Sequence, residues 1–258
     1  MDIQAKGTTV HCETVGQGKQ KILLLHGWGC DISLMMPVAK LLSDAATCTI
    51  IDFPGHGKSG RPPEPWGVPE YAECLKAVME QLDLKGCSVI AHSFGGRVAA
   101  WLAAHESDIF DKIVFTGAAG LRKESTGKAS GKTKRYKQLK KMVSVLGKIP
   151  FLKGFADGMQ EKLIQKYGSP DYRALDPEMR KTFVKVINQD LAECYPEIRS
   201  STLLVWGQND TETPLWMGQK MEKLIPDAGL VVLDGDHFAY LKQLQQFSVI
   251  VKKFLTEE

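Results

Sequence analysis

The sequence lacks the features that would place it in a membrane or mark it for secretion. Its 258 residues contain no apolar run close to the roughly 18 residues that a membrane-spanning helix needs. The first stretch, MDIQAKGTTVHCE, has no basic start followed by an apolar segment, so no secretory signal is visible. We therefore expect a cytoplasmic protein without a membrane span.

Patterns for metal ions, redox chemistry and nucleic acid are missing as well. The six cysteines are scattered without a Cys-x-x-Cys pair, and no group of Cys and His residues has zinc-ligand spacing. Scattered thiols are typical of a reducing compartment. A net charge of only +3 gives no argument for a nucleic-acid partner. The sequence therefore predicts no metal ion and no other cofactor.

Apolar runs alternate with helical patterns at both ends of the chain. The runs are KILLLHG, TCTIIDFPG, CSVIAHS and DKIVFTGAAG, then STLLVWGQND and GLVVLDGDH. Such alternation is typical of an α/β fold, a parallel sheet with helices on both faces. Residues 121–199 give helical patterns only, one of which opens with the capping pair Asp176-Pro177. We predict a core of residues 1–119 and 200–258, with an all-helical cap at residues 120–199.

The stretch AHSFGG places Ser93 between a buried strand and a helix. This is the context of a nucleophile elbow, a tight turn that exposes the serine hydroxyl. Ala91 stands where the motif usually has its first glycine, so the motif alone leaves two interpretations open, a nucleophile and a helix-capping serine. A nucleophilic serine also needs a base, and the base needs a carboxylate that holds it.

His237 and Asp210 each follow a later apolar run. His237 is the candidate base because it lies in a loop just beyond the last predicted strand. Asp236 adjoins it, but an adjacent side chain points away in most loop geometries, so Asp210 is the preferred carboxylate. The chain order Ser93, Asp210, His237 is the order expected for a triad on this type of sheet.

An oxyanion hole needs two backbone N–H donors. Phe94, which opens the helix after Ser93, supplies one. Trp28 in the loop HGWG supplies the other, because the flanking glycines let the backbone approach a ligand closely. His26 in this loop and His56 in PGHGKS are predicted to shape loops rather than to act as bases.

Taken in order, LLLHGWG, DFPGHGKS, AHSFGG, WGQND and GDHF resemble the α/β-hydrolase family in its cap-bearing serine branch. The resemblance runs from the first apolar run to the last helix. It implies an eight-stranded, mostly parallel sheet with the active site at the carboxyl ends of the strands. It also implies a triad of Ser93, Asp210 and His237, with oxyanion donation by Trp28 and Phe94. The branches with an aspartate nucleophile, the dehalogenases and epoxide hydrolases, are disfavoured by Ser93.

The predicted activity is that of a serine hydrolase, which cleaves a carboxylic ester with a small to medium acyl group through an acyl-enzyme. The HGWG loop resembles that of carboxylesterases, whereas the position of the cap resembles that of carbon–carbon hydrolases of ring-cleavage diketones. Phe238 stands where the latter often carry tryptophan. A carbon–carbon hydrolase and a non-catalytic small-molecule binder with the same fold stay open as alternatives.

The cap segment is strongly basic. Eleven Lys or Arg residues lie between Arg122 and Lys153, and Glu124 is the only acid among them. Such a run is either a solvated helix face or a surface that attracts an anionic substrate or an acidic carrier protein. Apolar side chains of the cap and of the last loop are predicted to line the substrate pocket, although those of the cap can equally form its own core: Phe151, Phe155, Met159 and Phe238.

Overall fold

The computed structural model describes residues 1–122, 142–143 and 153–256, and eight strands in these ranges form one sheet. The strands are β1 (Asp2–Ala5), β2 (Thr8–Val15), β3 (Gln20–Leu25), β4 (Ala46–Ile51), β5 (Cys87–His92), β6 (Phe110–Thr116), β7 (Ser201–Gly207) and β8 (Ala228–Leu233). They lie in the order β1-β2-β4-β3-β5-β6-β7-β8. Neighbours from β4 to β8 are parallel, and β2 is antiparallel to both β1 and β4. The predicted fold class is confirmed.

The six apolar runs of the sequence correspond to β3–β8, but β1 and β2 have no such run. Burial alternates along most of β2, which is typical of a strand with one face toward the core. A tight turn joins the two strands, in which Lys6 and Gly7 have φ values of 46° and 77°. Two successive residues with positive φ form the hairpin turn that matches the twist of paired strands.

Nine helices occur in the described ranges, together with a short 3₁₀ helix at Tyr195–Glu197. They are α1 (Ile32–Leu42), α2 (Val68–Gln81), α3 (Phe94–His105), α4 (Lys153–Tyr167), α5 (Pro170–Ala174), α6 (Pro177–Asn188), α7 (Trp216–Leu224), α8 (Ala239–Lys242) and α9 (Leu244–Thr256). Asp176 caps α6 as predicted, since its Oδ1 accepts the N–H groups of Glu178 and Met179 at 3.0 and 3.2 Å. Within the described part of the chain, no helix combines the length and apolar character that a bilayer crossing requires.

Both faces of the sheet are buried, and successive residues of β3 show how. Leu23 and Leu25 pack in one apolar cluster with side chains of α2 and α3, whereas Ile22 and Leu24 pack in a second cluster with α1 and α9. Alternate residues of a strand point to opposite faces, so a strand covered on both sides is apolar at every position. This arrangement explains the continuous apolar runs in the sequence.

The chain divides into two compact units. Met1–Leu121 and Val184–Glu258 form the larger unit, which holds the sheet, and Arg122–Phe183 form the smaller one. The smaller unit corresponds to most of the predicted cap, although residues 184–199 group with the larger unit. Within the smaller unit, the Arg180 guanidinium makes two hydrogen bonds to the Glu161 carboxylate, at 2.6 and 3.0 Å, and so links α6 to α4.

Candidate active site

The residues predicted to form the triad all follow strands of the parallel part of the sheet. Ser93 comes directly after β5, Asp210 after β7, and His237 after β8. In the sheet, β6 lies between β5 and β7, and β8 is the next strand after β7. Gly117 directly follows β6. Parallel neighbouring strands end at the same edge of a sheet, where open α/β sheets bind ligands. The fold therefore brings to one edge residues that are far apart in sequence.

Ser93 has a backbone conformation that residues with a β-carbon rarely adopt. Its φ is 49° and its ψ is −109°, in the turn between β5 and α3. A positive φ is uncommon outside glycine, and such strain is concentrated at functional sites. The Ser93 side chain makes no capping hydrogen bond to α3. The helix-cap interpretation is therefore wrong, and the turn has the form of a nucleophile elbow.

Close packing beside the turn explains why glycine stands two residues after Ser93, at position 95, whereas alanine is accepted two residues before it, at position 91. A β-carbon at Gly95 would lie 2.7 Å from the carbonyl oxygen of Leu25 and 2.8 Å from its β-carbon. Ala91 is fully buried inside β5, where it pairs with Leu25 of β3. The methyl group of Ala91 is thus accommodated in the sheet, and the departure from the usual motif leaves the turn intact.

His237 and Asp210 form a buried hydrogen-bonded pair. Nδ1 of His237 donates to Oδ2 of Asp210 at 2.8 Å, and the two side chains are 5% and 0% exposed. Oδ1 of Asp210 accepts the backbone N–H groups of Glu212 and Thr213, each at 2.9 Å. Burial raises the pKa of Asp210, but the hydrogen bonds from His237 and Thr213 outweigh it and hold the pKa below its usual value. With Nδ1 protonated, Nε2 of His237 is the nitrogen that can accept a proton.

Asp236, the sequence neighbour of His237, has other partners. Its carboxylate accepts a hydrogen bond from Nζ of Lys242 at 2.5 Å and another from the backbone N–H of Phe238 at 3.0 Å. The adjacent acid is therefore engaged elsewhere, as the sequence argument expects. Asp210 is the carboxylate that is hydrogen-bonded to Nδ1 of the imidazole.

Thr213 is part of the site and was not recognised from the sequence. Its buried hydroxyl lies 2.8 Å from Oδ2 of Asp210, 3.1 Å from Nδ1 of His237 and 3.0 Å from the carbonyl oxygen of Gly117. Its own carbonyl oxygen accepts a hydrogen bond from Nε1 of Trp206 at 2.7 Å. The hydroxyl thus contacts both members of the pair, while the backbone of residue 213 is held in place from the other side. A threonine three residues after a candidate acid carries no signal of this role in the sequence alone.

Replacing Thr213 by valine, which keeps the shape but removes the hydroxyl, is expected to lower kcat about tenfold, because a hydrogen bond to a charged group is lost. The measurement is steady-state hydrolysis of a chromogenic ester. Thr213→Ser is the matched control, since it restores the hydroxyl and should recover most of the rate. Equal losses in the valine and serine variants would show that the hydroxyl alone does not account for the effect, and an unchanged rate in the valine variant would show that the hydroxyl does not contribute.

The loop after β3 passes directly beside Ser93. A β-carbon at Gly27 would lie 3.3 Å from that of Ser93, so the loop approaches the turn closely. His26 fixes this loop, since its Nδ1 donates to the Gly27 carbonyl oxygen at 2.7 Å and its Nε2 accepts the N–H of Phe53 at 3.0 Å. Burial lowers the pKa of His26 to about 4, which keeps the ring neutral for these two bonds. Trp28, a predicted oxyanion donor, therefore belongs to a loop held next to the serine.

Phe94, the other predicted donor, opens α3, where first-turn N–H groups have no partner within the helix. Its ring packs edge-on against Trp28 and Phe53, with centroid distances of 5.2 and 5.0 Å. The ring of His56 lies 4.8 Å from that of Trp28, and burial lowers its pKa to about 4. His26 and His56 are thus neutral side chains that pack around the loop, in agreement with the role predicted for them.

His92 lies beside the candidate base and is itself neutral. Its ring centroid is 4.6 Å from that of His237, and its Nδ1 donates to the carbonyl oxygen of Thr116 at 3.0 Å. Burial, together with the neighbouring His237, lowers the pKa of His92 to about 3. The ring therefore supports the imidazole of His237 by packing without adding a charge next to it.

The four predicted pocket residues are placed differently. Phe151 lies outside the described residues, as does most of the basic segment of the cap. Phe155 and Met159 lie on α4, where Phe155 is 65% exposed and Met159 is half-buried. Phe238 is half-buried beside the candidate base, with its ring centroid 5.4 Å from that of His237. Phe238 is therefore adjacent to the site, and the contribution of the cap residues stays a prediction.

The side chains at this edge of the sheet suit nucleophilic catalysis. A serine on a strained turn, a histidine held by a buried carboxylate, and a glycine loop beside the serine are the parts that acyl transfer uses. Among the residues that the structure describes, no three His, Cys, Asp or Glu side chains are grouped so that they could hold a metal ion.

A family model for the alpha/beta hydrolase fold matches residues 21–244, a range that includes every residue of this site. The chain belongs to this family. A 2-hydroxy-6-oxononadienedioate/2-hydroxy-6-oxononatrienedioate hydrolase of Pseudomonas sp is 24% identical over 96% of this α/β hydrolase and 92% of the relative. A pimeloyl-(acyl-carrier protein) methyl ester esterase of Neisseria meningitidis is 25% identical over 92% and 77% of the two chains. The structure of an enol-lactonase from Burkholderia xenovorans is similar with a TM-score of 0.76, at 21% identity and with 100% of both chains covered. This α/β hydrolase is an enzyme of the hydrolase class.

Proposed function

We propose that this α/β hydrolase cleaves carboxylic esters with small to medium acyl groups through an acyl-enzyme on Ser93. The observation that supports it most is the positive φ of Ser93 at the same sheet edge as the buried His237–Asp210 pair. A hydroxyl at its ordinary pKa is a poor nucleophile, so the strained turn is useful only with a base beside it. The proposal assigns that role to His237.

In the first half of the reaction, Nε2 of His237 takes the proton of Ser93 as Oγ attacks the carbonyl carbon of the ester. Asp210 holds the ring through Nδ1 and stabilises the imidazolium that forms. The N–H groups of Trp28 and Phe94 would hold the oxyanion, because backbone donors fixed in advance need no reorganisation when charge develops. His237 then gives its proton to the departing alcohol, and the acyl group stays on Ser93.

In the second half, water replaces the alcohol. His237 takes a proton from the water, which attacks the acyl carbon, and returns it to Ser93 as the acid leaves. The same groups therefore serve both half-reactions, in reverse order of proton transfer.

A carbon–carbon hydrolase is the second candidate, and one observation favours it. The relative from Pseudomonas, named as a 2-hydroxy-6-oxononadienedioate/2-hydroxy-6-oxononatrienedioate hydrolase, matches nearly the full length of both chains, and a similar solved structure is that of a meta-cleavage product hydrolase. The sequence argument against it is Phe238, beside the candidate base, where such hydrolases often have tryptophan. The same triad serves both reactions, so the catalytic groups do not distinguish the two candidates. The substrate that the enzyme accepts does.

A paired assay separates the two candidates. The purified full-length enzyme is given chromogenic esters of two- to eight-carbon acids, and separately a vinylogous ring-cleavage diketone, with the Ser93→Ala variant as background. We expect Ser93-dependent ester hydrolysis that exceeds diketone cleavage in kcat/KM. Diketone cleavage without ester hydrolysis would replace the proposal by the second candidate.

The basic segment between Arg122 and Lys153 supports a further proposal about the partner. An excess of positive charge attracts anions, so an anionic substrate or an acidic carrier protein would be drawn to the cap. The relative from Neisseria meningitidis is named for an ester on an acyl-carrier protein. Because most of the segment lies outside the described residues, this proposal rests on sequence alone.

A further inference from the structure

Glu212 lies within ion-pair distance of the nitrogen that transfers the proton. Its Oε2 is 3.7 Å from Nε2 of His237, and its side chain is 63% exposed. The backbone of Glu212 is joined to the pair, because its N–H donates to Oδ1 of Asp210 at 2.9 Å. A solvent-exposed carboxylate thus lies on the Nε2 side of the imidazole.

This carboxylate has no compensating cation among the described residues. Among the described residues, the titratable side chain that the structure gives within 4 Å of the Glu212 carboxylate is His237, which is an ion-pair partner only when its ring carries a second proton. Asp236 on the next loop is paired with Lys242. With its hydrogen on Nδ1, His237 presents the lone pair of Nε2 on the side of the ring where Glu212 lies. The negative charge of Glu212 can therefore attract or repel a charged group that approaches Nε2 from solvent.

The group that approaches Nε2 in the proposed reaction is the leaving group. To receive its proton, the departing oxygen must come within about 3 Å of Nε2, which brings it within roughly 7 Å of the Glu212 carboxylate. The electrostatic interaction between Glu212 and a unit charge on the leaving group would then change the rate roughly three- to tenfold, since exposed charges at such distances interact weakly but measurably. Whether the rate rises or falls depends only on the sign of the charge on the leaving group.

We propose that Glu212 is a specificity-determining residue, which selects esters with neutral or cationic alcohol groups and disfavours those with anionic ones. The inference rests on the proposed function, because it assigns Nε2 of His237 to the leaving group. It concerns the alcohol side of the ester, whereas the basic segment of the cap is predicted to act on the substrate or its carrier as a whole. A comparison of variants that leave the cap unchanged isolates the effect of Glu212.

The test uses three esters of one acyl group, with ethanol, choline and glycolate as the neutral, cationic and anionic alcohols. In Glu212→Gln, kcat/KM for the choline ester should fall three- to tenfold and that for the glycolate ester should rise by a similar factor. The ethyl ester should change less than twofold. Equal changes for all three esters, or none, would overturn the inference.

The matched control is Glu80→Gln, which removes the same charge from an exposed position near the end of α2. That end leads into the start of β5, at the sheet edge opposite to Ser93. The control should leave the choline-to-glycolate ratio within twofold of the wild-type value. A shift as large as in Glu212→Gln would assign the effect to net charge and overturn the inference.

A second measurement distinguishes a failure of this inference from a failure of the proposed function. Phosphonate probes with a choline-type or a neutral leaving group label a reactive serine when Oγ bonds to phosphorus and the leaving group departs with a proton from the base. If no ester is hydrolysed, the proposed function is wrong, and the inference is judged by whether Glu212→Gln slows labelling by the cationic probe alone. An equal effect of Glu212→Gln on labelling by both probes, or no labelling at all, would overturn the inference as well.

Discussion

Ser93→Ala is expected to lower ester turnover by at least about a thousandfold, because no acyl-enzyme can form without the hydroxyl. The β-carbon is kept and the Ser93 side chain makes no capping hydrogen bond, so the fold should be unaffected. The measurements are kcat for a chromogenic ester and the midpoint of thermal unfolding. A fully active alanine variant would end the proposal that Ser93 is the nucleophile.

Ser93→Gly tests the strained turn as well as the chemistry. Glycine adopts a φ of 49° without a β-carbon clash, so this variant should be as inactive as alanine. It should also be more stable than Ser93→Ala by about 1 kcal/mol, since relief of strain at a single residue is worth that much. A Ser93→Gly variant that is less stable in urea than Ser93→Ala would show that the turn is not strained, because glycine then contributes only its larger entropy in the unfolded chain.

Asp210→Asn is the second large effect, with an expected loss in kcat of about a thousandfold or more, as for asparagine in serine-protease triads. The reason lies in the partners of the carboxylate. Oδ1 accepts two backbone N–H groups, from Glu212 and Thr213, and only the oxygen of an asparagine side chain can take that place. Its NH₂ group would then face Nδ1 of His237 and force the proton onto Nε2, where it blocks acceptance from Ser93.

The matched control is Asp236→Asn. Asp236 adjoins His237, but its carboxylate contacts Lys242 and the N–H of Phe238, and asparagine can keep the latter bond. We expect activity within about threefold of wild type, because no contact to the imidazole is lost. A larger loss in Asp236→Asn than in Asp210→Asn would move the acid of the triad to Asp236.

Local patterns were enough to predict the turn at Ser93 and the contact between Asp210 and His237. A continuous apolar run before Ser93 predicts β5, and the Ala-rich stretch FGGRVAAWLAAHES after it predicts a helix, which together place Ser93 on the turn. Asp210 and His237 follow apolar runs in the same way. These predictions depend on which residues end a strand, and strand ends are visible in the sequence because both faces of the sheet are buried.

Features that depend on pairing between distant residues were not predictable. The β1–β2 hairpin has polar residues on its exposed face and therefore no apolar run. Thr213 and Glu212 contact His237 only because β7 and β8 are neighbours and because Asp210 Oδ1 binds their N–H groups. Neither residue type, at either position, signals such a contact before the loops are folded.

The most direct test of the central claim is covalent labelling of the nucleophile. The enzyme is treated with a fluorophosphonate, digested and examined by mass spectrometry for the site of the adduct. We predict a single adduct on Ser93 that is lost in Ser93→Ala and formed much more slowly in Asp210→Asn. No adduct, as expected of a non-catalytic binder, or an adduct on another residue, would contradict the account.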